Sequence, residues 1–322
     1  MTGTIITGAT GFLGGAIARR LLKEGERVIA LGRDRAKLEG LAEAGAETHA
    51  LDLEANNPLP SMRVSGIIHC AALSSPWGQR AAFERANIAG TRRALLLALE
   101  AGAARFVHIS SPSIYFRFAD QEAVGEDMPL PQPANAYAAT KAASEQLVLA
   151  VPELSPIILR PRGLYGPGDT ALLPRLLRAA TTRPLPLMRG GVAATDLTYI
   201  DDVADAALTA LRAKTAPSQI YNVSGGQALP IRSVAERAGA KANMTIRWRK
   251  MPWPAVLAAA RAAEAVCAAL PGRPEPLVTS YSAGLFAFRQ TLDISRIDRE
   301  LSWQPRICFD EGLARTFAER TS

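Results

Sequence analysis

Tyr137 and Lys141 lie four positions apart and form the pair of side chains with the clearest chemistry in the sequence. In a helix this spacing stacks the two side chains on the same side. A free tyrosine has a pKa of about 10 and is a poor base at neutral pH, but a nearby ammonium favours the phenolate and lowers that pKa. The pair can then move a proton to or from a substrate oxygen. Helices also carry such pairs on solvated faces, so the pattern gains its weight from its surroundings.

A serine precedes this pair at the end of a predicted strand. Residues 105–110 predict the strand, and Ser111 follows it directly. From there the Ser111 hydroxyl is placed to hydrogen-bond the same substrate oxygen as Tyr137. If the catalytic serine lies one turn further along the chain, Ser113 takes this role. Residues 137–151 predict the helix that carries the tyrosine and the lysine.

Three glycines at the start of the chain predict a phosphate site. Gly8, Gly11 and Gly14 stand at three-residue spacing between a predicted strand at residues 4–6 and a helix at residues 14–24. The turn needs glycine for its tightness, for close approach of phosphates and for packing of the helix on the strand. The first amides and the positive dipole end of the helix favour an anion. We therefore expect a dinucleotide to bind there.

The residues after the second predicted strand, 27–31, favour NADP(H) over NAD(H). An NAD site normally has an acidic residue at this point to hold the ribose 2′-hydroxyl, whereas an NADP site has an arginine nearby. Here Gly32 occupies the point and Arg33 follows, with Arg35 and Lys37 close in sequence. Surface cations at a helix start are the alternative interpretation, and the neighbouring acid Asp34 keeps NAD(H) possible.

Polar and small residues follow the next two predicted strands, 48–51 and 65–70. Asp52 is placed either to bond the adenine amino group or to cap its own turn. Ala71 and Ala72 are small enough to let a ribose approach. His69 is interpreted as a packed strand residue and not as a catalyst.

The pattern of elements predicts an α/β fold. Strands and helices alternate through the first half, and a sixth strand is predicted at residues 157–160, so we expect a doubly wound parallel sheet covered by helices on both faces. From residue 166 helices and proline-rich loops dominate. We predict a Rossmann-type dinucleotide-binding domain at 1–165, with segments near 192–223 (strands at 198–200 and 219–223) that can return to the sheet. A smaller, mostly helical substrate lobe takes 166–191 and 224–322.

Composition narrows the function classes. The 322 residues carry a net charge of +7, but the arginines are scattered and no basic run is interleaved with aromatics, so no nucleic-acid partner is expected. The three histidines and three cysteines share no ligand spacing, so no metal is expected. The start of the sequence is strand and glycine turn, unlike a signal peptide, and a cytoplasmic location is expected.

Residues 255–270 form an alanine-rich apolar stretch that contains Arg261 and Glu264. It is too short to span a bilayer. A packed helix of the lobe is the leading interpretation, followed by a substrate lid and then by a helix lying on a membrane surface.

These motifs together resemble the extended short-chain dehydrogenase/reductases, over essentially the full chain. Segments 8–14, 137–141 and 159–168 fall in the order of that family, as do Ser110-Ser111 and Gly90-Thr91. The resemblance implies that Tyr137 is the acid/base, that Lys141 and Ser111 are its partners, and that Asn87 lies near a proton-relay water. It also implies a homodimer and a set of cofactor-binding residues, namely Gly8, Thr10, Gly11, Phe12, Leu13, Gly14, Arg33, Asp52, Leu53, Ala71, Ala72, Tyr137, Lys141, Pro161 and Leu164.

One position separates branches of this family. Sugar-nucleotide epimerases and dehydratases normally carry an arginine where this chain has Thr195, seven residues before Asp202. Other stretches, including residues 74–78 and 290–312, resemble 3β-hydroxysteroid dehydrogenases and bacterial 2-alkyl-3-oxoalkanoate reductases, which act on apolar ketones or secondary alcohols. We therefore predict a reductase or dehydrogenase for a small hydrophobic β-oxo, β-hydroxy or steroid-like substrate. A sugar-nucleotide epimerase or dehydratase with retained NAD is the first alternative, and a non-catalytic NADP-sensing protein is the second.

Overall fold

The computed structural model describes residues 3–55, 58–214 and 219–318. In its first half, strands and helices alternate from the start. A π-helical turn, Glu84–Ala89, joins the short helix at 80–83 to the longer helix at 90–100, so that the three form one continuous helix. The elements are β1 Gly3–Thr7, α1 Phe12–Lys23, β2 Val28–Gly32, α2 Arg35–Glu43, β3 Glu47–Ala50, β4 Val64–His69, α3 Arg80–Phe83, α4 Gly90–Glu100, β5 Arg105–Ile109, β6 Gln121–Val124, α5 Ala136–Leu149, β7 Ile157–Pro161 and β8 Leu164–Tyr165.

The second half has more helices and only short strands, apart from one five-residue strand. Its elements are α6 Leu173–Thr182, β9 Leu185–Leu187, β10 Ala194–Thr195, β11 Thr198–Tyr199, α7 Ile200–Arg212, β12 Gln219–Val223, β13 Leu229–Pro230, α8 Ile231–Lys241, β14 Trp248–Lys250, α9 Trp253–Ala269, α10 Ser280–Leu285, β15 Gln290–Leu292, α11 Ser295–Leu301 and α12 Phe309–Ala318.

Seven strands form one sheet in the order β12-β7-β5-β4-β1-β2-β3. Every neighbouring pair in it is parallel. The chain runs outward from β1 in one direction and then returns to β4 to run outward in the other, which is the doubly wound arrangement. The predicted fold class, a Rossmann-type parallel sheet with a smaller and mostly helical lobe, is confirmed.

Alternate residues of the central strands enter two separate cores. Ile5 and Ile67 pack with α4 and α5, whereas Ile6 and Ile68 pack with α1 and α7. All four have no exposed surface. Burial on both faces explains why these strands are continuous apolar runs and not alternating ones.

The structure differs from the sequence-based expectation at two places. Of the two strands expected near the end of the first domain, β12 pairs with β7 in the large sheet, but β11 pairs with β8 outside it. The helix expected at residues 80–101 contains the π turn, which adds a residue to one turn and places Asn87 inside the protein at 1% exposure.

Helix α5 is held to the sheet by a buried ion pair. The Arg160 guanidinium, on β7, contacts the Glu145 carboxylate, on α5, at 2.5 Å. Ser110 donates to the same carboxylate, and the guanidinium also donates to the hydroxyl of Tyr115. Glu145 and Arg160 are 1% and 3% exposed, so solvent does not weaken their attraction. The pair therefore fixes the height of α5 along the strands.

The lobe packs on the side of the sheet where the strands end. Its four-stranded sheet, β13-β10-β15-β6, is mixed and includes a strand from the first half of the chain. Helix α9 buries only Val256 and Ala260 fully, and its Glu264 accepts hydrogen bonds from the backbone and side chain of Ser280. Within the described part of the chain, no helix is both long and apolar enough to cross a membrane.

We predict that Glu145→Gln lowers the free energy of unfolding by about 3–5 kcal/mol, because it leaves the Arg160 guanidinium buried without its counter-charge. Urea unfolding at neutral pH measures the change. Glu311→Gln is the matched control, since Glu311 pairs with Arg315 on the surface of α12. That substitution should cost less than about 1 kcal/mol. Equal losses in the two variants would contradict the role given to the buried pair.

Candidate active site

The loop between β1 and α1 forms a cradle whose glycines leave little room for side chains. Gly8 has a φ of +66°, and a Cβ there would lie 2.7 Å from the backbone nitrogen of Ala71. A Cβ on Gly14 would lie 2.3 Å from the carbonyl oxygen of Gly8. Gly11 precedes Phe12, the first residue of α1, and its lack of a side chain leaves the first helical amides uncapped. The cradle therefore fits the pyrophosphate of a dinucleotide.

The remaining residues expected around the cradle line its edges. Thr10 packs against Gly32, where a Cβ would lie 2.5 Å from the threonine methyl group. Leu13 and Leu53 are buried. Ala71 and Ala72 follow β4 directly, and the amide of Ala71 faces the Thr7 hydroxyl at 3.4 Å. The role of each of these residues in cofactor binding stays a prediction.

Strand β2 ends at Gly32, where no acidic side chain is present, and the next residue is the cation Arg33. Arg33 is largely exposed and contacts Glu54 at 3.2 Å. Asp34 caps α2 by accepting from the amide of Lys37. Asp52 likewise accepts from the amide of Glu54. Of the two roles considered for Asp52, a bond to the adenine amino group and a cap of its own turn, the structure shows the turn cap. Both aspartates therefore satisfy local backbone amides.

Tyr137 lies in the first turn of α5, which starts at the carboxyl edge of the sheet. Asn135 caps this helix by accepting from the amide of Ala138 at 2.8 Å. The Tyr137 side chain is half-buried, and its ring centre lies 6.4 Å from that of Phe83. The tyrosine is thus partly accessible, as an acid/base that meets a substrate requires.

Lys141 lies one turn further along α5 and points toward β5. Its ammonium donates to the carbonyl oxygen of Ile109 at 2.7 Å and lies 3.3 Å from Nε2 of His108. Burial lowers the pKa of Lys141 to about 8. Burial also lowers the pKa of His108 well below its ordinary value, so this imidazole is neutral at neutral pH. The lysine is therefore anchored by the strand that leads to Ser111.

Three serines at the end of β5 have different surroundings. Ser110 is buried and bound to Glu145. Ser111 adopts an extended conformation, and its hydroxyl accepts from the amide of Ser113 at 3.2 Å while the side chain stays half-buried. The hydroxyl of Ser113 is buried and has no hydrogen-bond partner among the described residues. Ser111 remains the predicted catalytic serine, with Ser113 directly behind it.

Asn87 ties two parts of the site together. Its side-chain oxygen accepts from the amide of Leu73 at 2.7 Å, and its nitrogen donates to the Leu73 carbonyl and the Thr140 hydroxyl. These bonds join the segment after β4 to α5. The contact supports a positioning role, and the expected proton-relay water near Asn87 stays a prediction.

Aromatic residues of the lobe pack against the segment that follows the serines. The Tyr281 ring, on α10, lies 4.7 Å from the Phe116 ring. Phe118 contacts Trp253 on α9, and Trp253 contacts Phe288. The five rings form an aromatic cluster (Phe116, Phe118, Trp253, Tyr281 and Phe288) next to the segment that follows the serines. Phe116 and Phe288 are buried, whereas the other three are partly exposed and give an apolar ligand a surface to contact.

Sequence reasoning missed Arg162 and Asp196, which form a second buried ion pair near this edge. Pro161 ends β7, Leu164 begins β8, and Arg162 lies between them. Its Nε is 3.1 Å from Oδ1 of Asp196. An arginine directly after the end of a buried strand was the available signal. Asp196 had no such signal, since its partner is 34 positions away.

The chain matches the model of the NAD dependent epimerase/dehydratase family over residues 4–224. It is 34% identical to the uncharacterized protein YbjS of Escherichia coli strain K12 over 98% of this chain and 96% of that protein. A 2-alkyl-3-oxoalkanoate reductase of Stenotrophomonas maltophilia is 29% identical over 97% of each chain. The sterol-4-alpha-carboxylate 3-dehydrogenase erg26, decarboxylating, of Schizosaccharomyces pombe is 28% identical over 99% of this chain and 97% of that one.

A solved structure shares the fold over the whole length. The UDP-glucuronic acid 4-epimerase of Bacillus cereus in complex with NAD superposes with a TM-score of 0.76 and covers 98% of this chain and 97% of its own. The two sequences are 22% identical. At this identity the likeness concerns the fold alone.

We predict that Lys141→Met stabilises the protein at neutral pH while removing its activity. The folded pKa of about 8 lies below the ordinary value of 10.5, so protonated Lys141 disfavours the folded state below pH 8. The difference between these two pKa values corresponds to at most about 3 kcal/mol in the free energy of unfolding. The variant gains less than this, because it loses the hydrogen bond to the Ile109 carbonyl. As pH rises from 8 to 10.5 the wild type regains this stability, and the advantage of the variant should vanish.

Urea unfolding of both proteins at pH 7, 8, 9 and 10 measures this difference. Lys37→Met is the control, because Lys37 is exposed at the start of α2. A stability difference between wild type and Lys141→Met that stays constant across this pH range would contradict the buried-ammonium interpretation.

Proposed function

Because the chain belongs to the NAD dependent epimerase/dehydratase family and is an oxidoreductase of the extended short-chain dehydrogenase/reductase type, we propose that it interconverts a ketone and a secondary alcohol on a hydrophobic β-oxo or β-hydroxy substrate. The observation that carries this proposal is the buried Lys141 ammonium, which binds the Ile109 carbonyl on the strand that leads to Ser111, with the half-buried Tyr137 one turn earlier on the same helix. The glycine cradle follows β1 at the carboxyl edge of the sheet, and the aromatic cluster lies next to the segment that follows the serines.

The named relatives support the substrate class. One acts on a 2-alkyl-3-oxoalkanoate and another on a sterol carboxylate at carbon 3. Both names describe an oxygen on a secondary carbon of a largely apolar skeleton. In this chain the aromatic cluster offers the matching apolar surface.

The residues of this chain provide the proton chemistry. A bound nicotinamide would supply or accept the hydride at the carbinol carbon. Tyr137 gives a proton to the ketone oxygen in reduction and takes it from the hydroxyl in oxidation. The Ser111 hydroxyl holds the same oxygen, and Lys141, one turn further along α5, adds a positive charge to this part of the site. The half-buried setting of Tyr137 limits the water that competes for its proton.

Two features of the described chain count against the sugar-nucleotide alternative. Thr195 lies in β10, and its hydroxyl donates to its neighbour's carbonyl oxygen at 3.3 Å. A diphosphate therefore meets no cation from that position. The aromatic cluster also offers few hydrogen bonds to a sugar.

Arg33 and the absence of an acid at Gly32 support NADP(H) as the favoured cofactor, with NAD(H) possible. The contact of Arg33 with Glu54 is solvent-exposed and weak, so the guanidinium is available to a 2′-phosphate. We also propose a homodimer that uses the helical surface near Asn87, because Leu96 and Leu99 on α4 are 49% and 46% exposed.

We predict that Tyr137→Phe lowers kcat by roughly 10²–10⁴-fold, because it removes the positioned proton donor. The Kd for NADPH, measured by fluorescence titration, should stay within about twofold, since the cradle is unchanged. Tyr165→Phe is the matched control, because the Tyr165 hydroxyl binds the Phe309 carbonyl away from the proposed site, and it should keep kcat within about tenfold. Normal turnover by Tyr137→Phe on every ketone tried would contradict the proposed function.

We predict that Arg33→Ala raises the Kd for NADPH roughly 10- to 100-fold and leaves the Kd for NADH within about twofold, because a charge-assisted bond to the 2′-phosphate is lost. Arg85→Ala is the control, since Arg85 also contacts Glu54 but lies on the π turn. Equal weakening of both cofactors would overturn the NADP(H) preference.

A further inference from the structure

Arg162 is a buried arginine whose hydrogen-bonding capacity is largely unused. It is 8% exposed, and its amide continues the sheet pairing by donating to the carbonyl of Val223. Its side chain has five N–H donors. Asp196 is its ion-pair partner at 3.1 Å, yet neither Nε nor Oδ1 completes a hydrogen bond. No described residue accepts a hydrogen bond from the two terminal nitrogens of Arg162.

Asp196 is fixed by its own contacts and therefore orients Arg162. Its second oxygen accepts from the amide of Leu292 at 2.9 Å, and the residue is 2% exposed. The aspartate thus holds the inner side of the guanidinium and leaves its terminal nitrogens for another group.

The backbone places Arg162 on the same face of the sheet as Tyr137. Ile158 and Arg160 point toward α5, and continued alternation sends Arg162 the same way. Helix α5 runs antiparallel to β7, because it is the crossover helix between the parallel strands β5 and β7.

The rise per residue of β7 and of α5 shows how far Arg162, Lys141 and Tyr137 lie along the strand direction from the Glu145–Arg160 pair. Arg162 lies about 7 Å beyond Arg160 along the strand direction. Lys141 and Tyr137 lie about 6 Å and about 12 Å beyond Glu145 along the helix. The backbone of Arg162 therefore lies at about the height of Lys141, and its guanidinium meets Asp196 of the lobe.

Tyr281, on α10, approaches this region from the lobe, with its ring against Phe116. Burial raises the pKa of Tyr281 to about 12, the Arg162 guanidinium opposes that rise, and the Tyr137 phenol adds to it. The Tyr281 hydroxyl is thus within electrostatic reach of both groups. Tyr137, Arg162 and Tyr281 therefore lie near one another at the carboxyl edge, and Lys141 lies one helical turn from Tyr137 on α5.

We propose that Arg162 binds a free carboxylate on the carbon next to the reacting carbon, so that the substrate is a β-oxo or β-hydroxy acid and not its ester or a simple ketone. This inference rests on the proposed function. A guanidinium matches a carboxylate in geometry and donates two parallel hydrogen bonds to it. The names of both relatives put a carboxylate one carbon from the reacting position. Fixing the carboxylate at Arg162 and the oxygen at Tyr137 orients the carbinol carbon between them.

The test compares an acid with its own methyl ester. A 2-alkyl-3-hydroxyalkanoic acid and its ester are oxidised with NADP⁺, because hydroxy acids do not decarboxylate as β-oxo acids do. We expect the wild type to favour the acid at least tenfold in kcat/KM. Arg162→Met should raise KM for the acid roughly 10- to 100-fold and leave kcat/KM for the ester within about threefold. Arg162→Lys should recover part of the selectivity.

A purely structural role for Arg162 predicts a different pattern, in which acid and ester lose the same factor. Because Arg162→Met leaves Asp196 buried without its counter-charge, the double variant with Asp196→Asn keeps the site neutral and protects folding. Arg237→Met, on α8 and paired with the exposed Asp310, is the control for loss of one positive charge. It should keep the wild-type selectivity.

The outcomes separate this inference from the proposed function. Equal wild-type kcat/KM for acid and ester, or equal losses in Arg162→Met, would overturn the carboxylate role while leaving the oxidoreductase proposal intact. Absence of turnover on both hydroxy compounds with NADP⁺ or NAD⁺, together with absence of reduction of neutral ketones with NADPH or NADH, would overturn the proposed function itself. A direct binding readout is inhibition by the 2-alkylalkanoic acid that lacks the hydroxyl, which should weaken at least tenfold in Arg162→Met.

Discussion

The buried ion pair between Glu145 and Arg160 sets the geometry on which the site depends. It joins the middle of α5 to the end of β7 at 2.5 Å, and Ser110 on the neighbouring strand binds the same carboxylate. Sliding α5 by one turn would separate these charges inside the protein. Tyr137 and Lys141 lie on the same helix, so their positions relative to Ser111 follow from this contact.

Such a pair is expensive to bury, and hydrophobic residues of similar volume would often stabilise a fold as well. Here the pair fixes the position of α5 along the strands of the sheet. Other buried polar contacts work in the same layer of the sheet, since His69 joins the hydroxyls of Thr7 and Thr91, and His108 contacts Lys141. The carboxyl half of the sheet is thus organised by specific hydrogen bonds, whereas the rest of the sheet is held by apolar packing.

Much of this arrangement could be predicted from the sequence, because it is encoded locally. The glycine turn, the apolar strands and the spacing of Tyr137 and Lys141 each involve neighbours within one or two elements. Parallel strands end at a common edge, so locating Ser111 and Gly8 at strand ends also placed them near each other. Asp52 shows the limit of this reasoning, because two interpretations fitted its position and only the structure gives its contact with Glu54.

The parts that could not be predicted depend on contacts between distant segments. Arg162 and Asp196 are 34 positions apart, and Tyr281 reaches Phe116 from a helix 165 positions away. The short strands of the lobe carry two to four residues each and show no periodicity of their own. The π turn at Asn87 leaves helical periodicity almost unchanged in the sequence, yet it turns that side chain inward.

A crystal structure with NADP⁺ and a 2-alkyl-3-hydroxyalkanoic acid tests the central claim most directly. The account predicts that the hydroxyl of the acid lies within hydrogen-bond distance of both the Tyr137 phenol and the Ser111 hydroxyl. It would be contradicted if that hydroxyl contacted neither residue, with the Tyr137 ring turned away from the edge of the sheet.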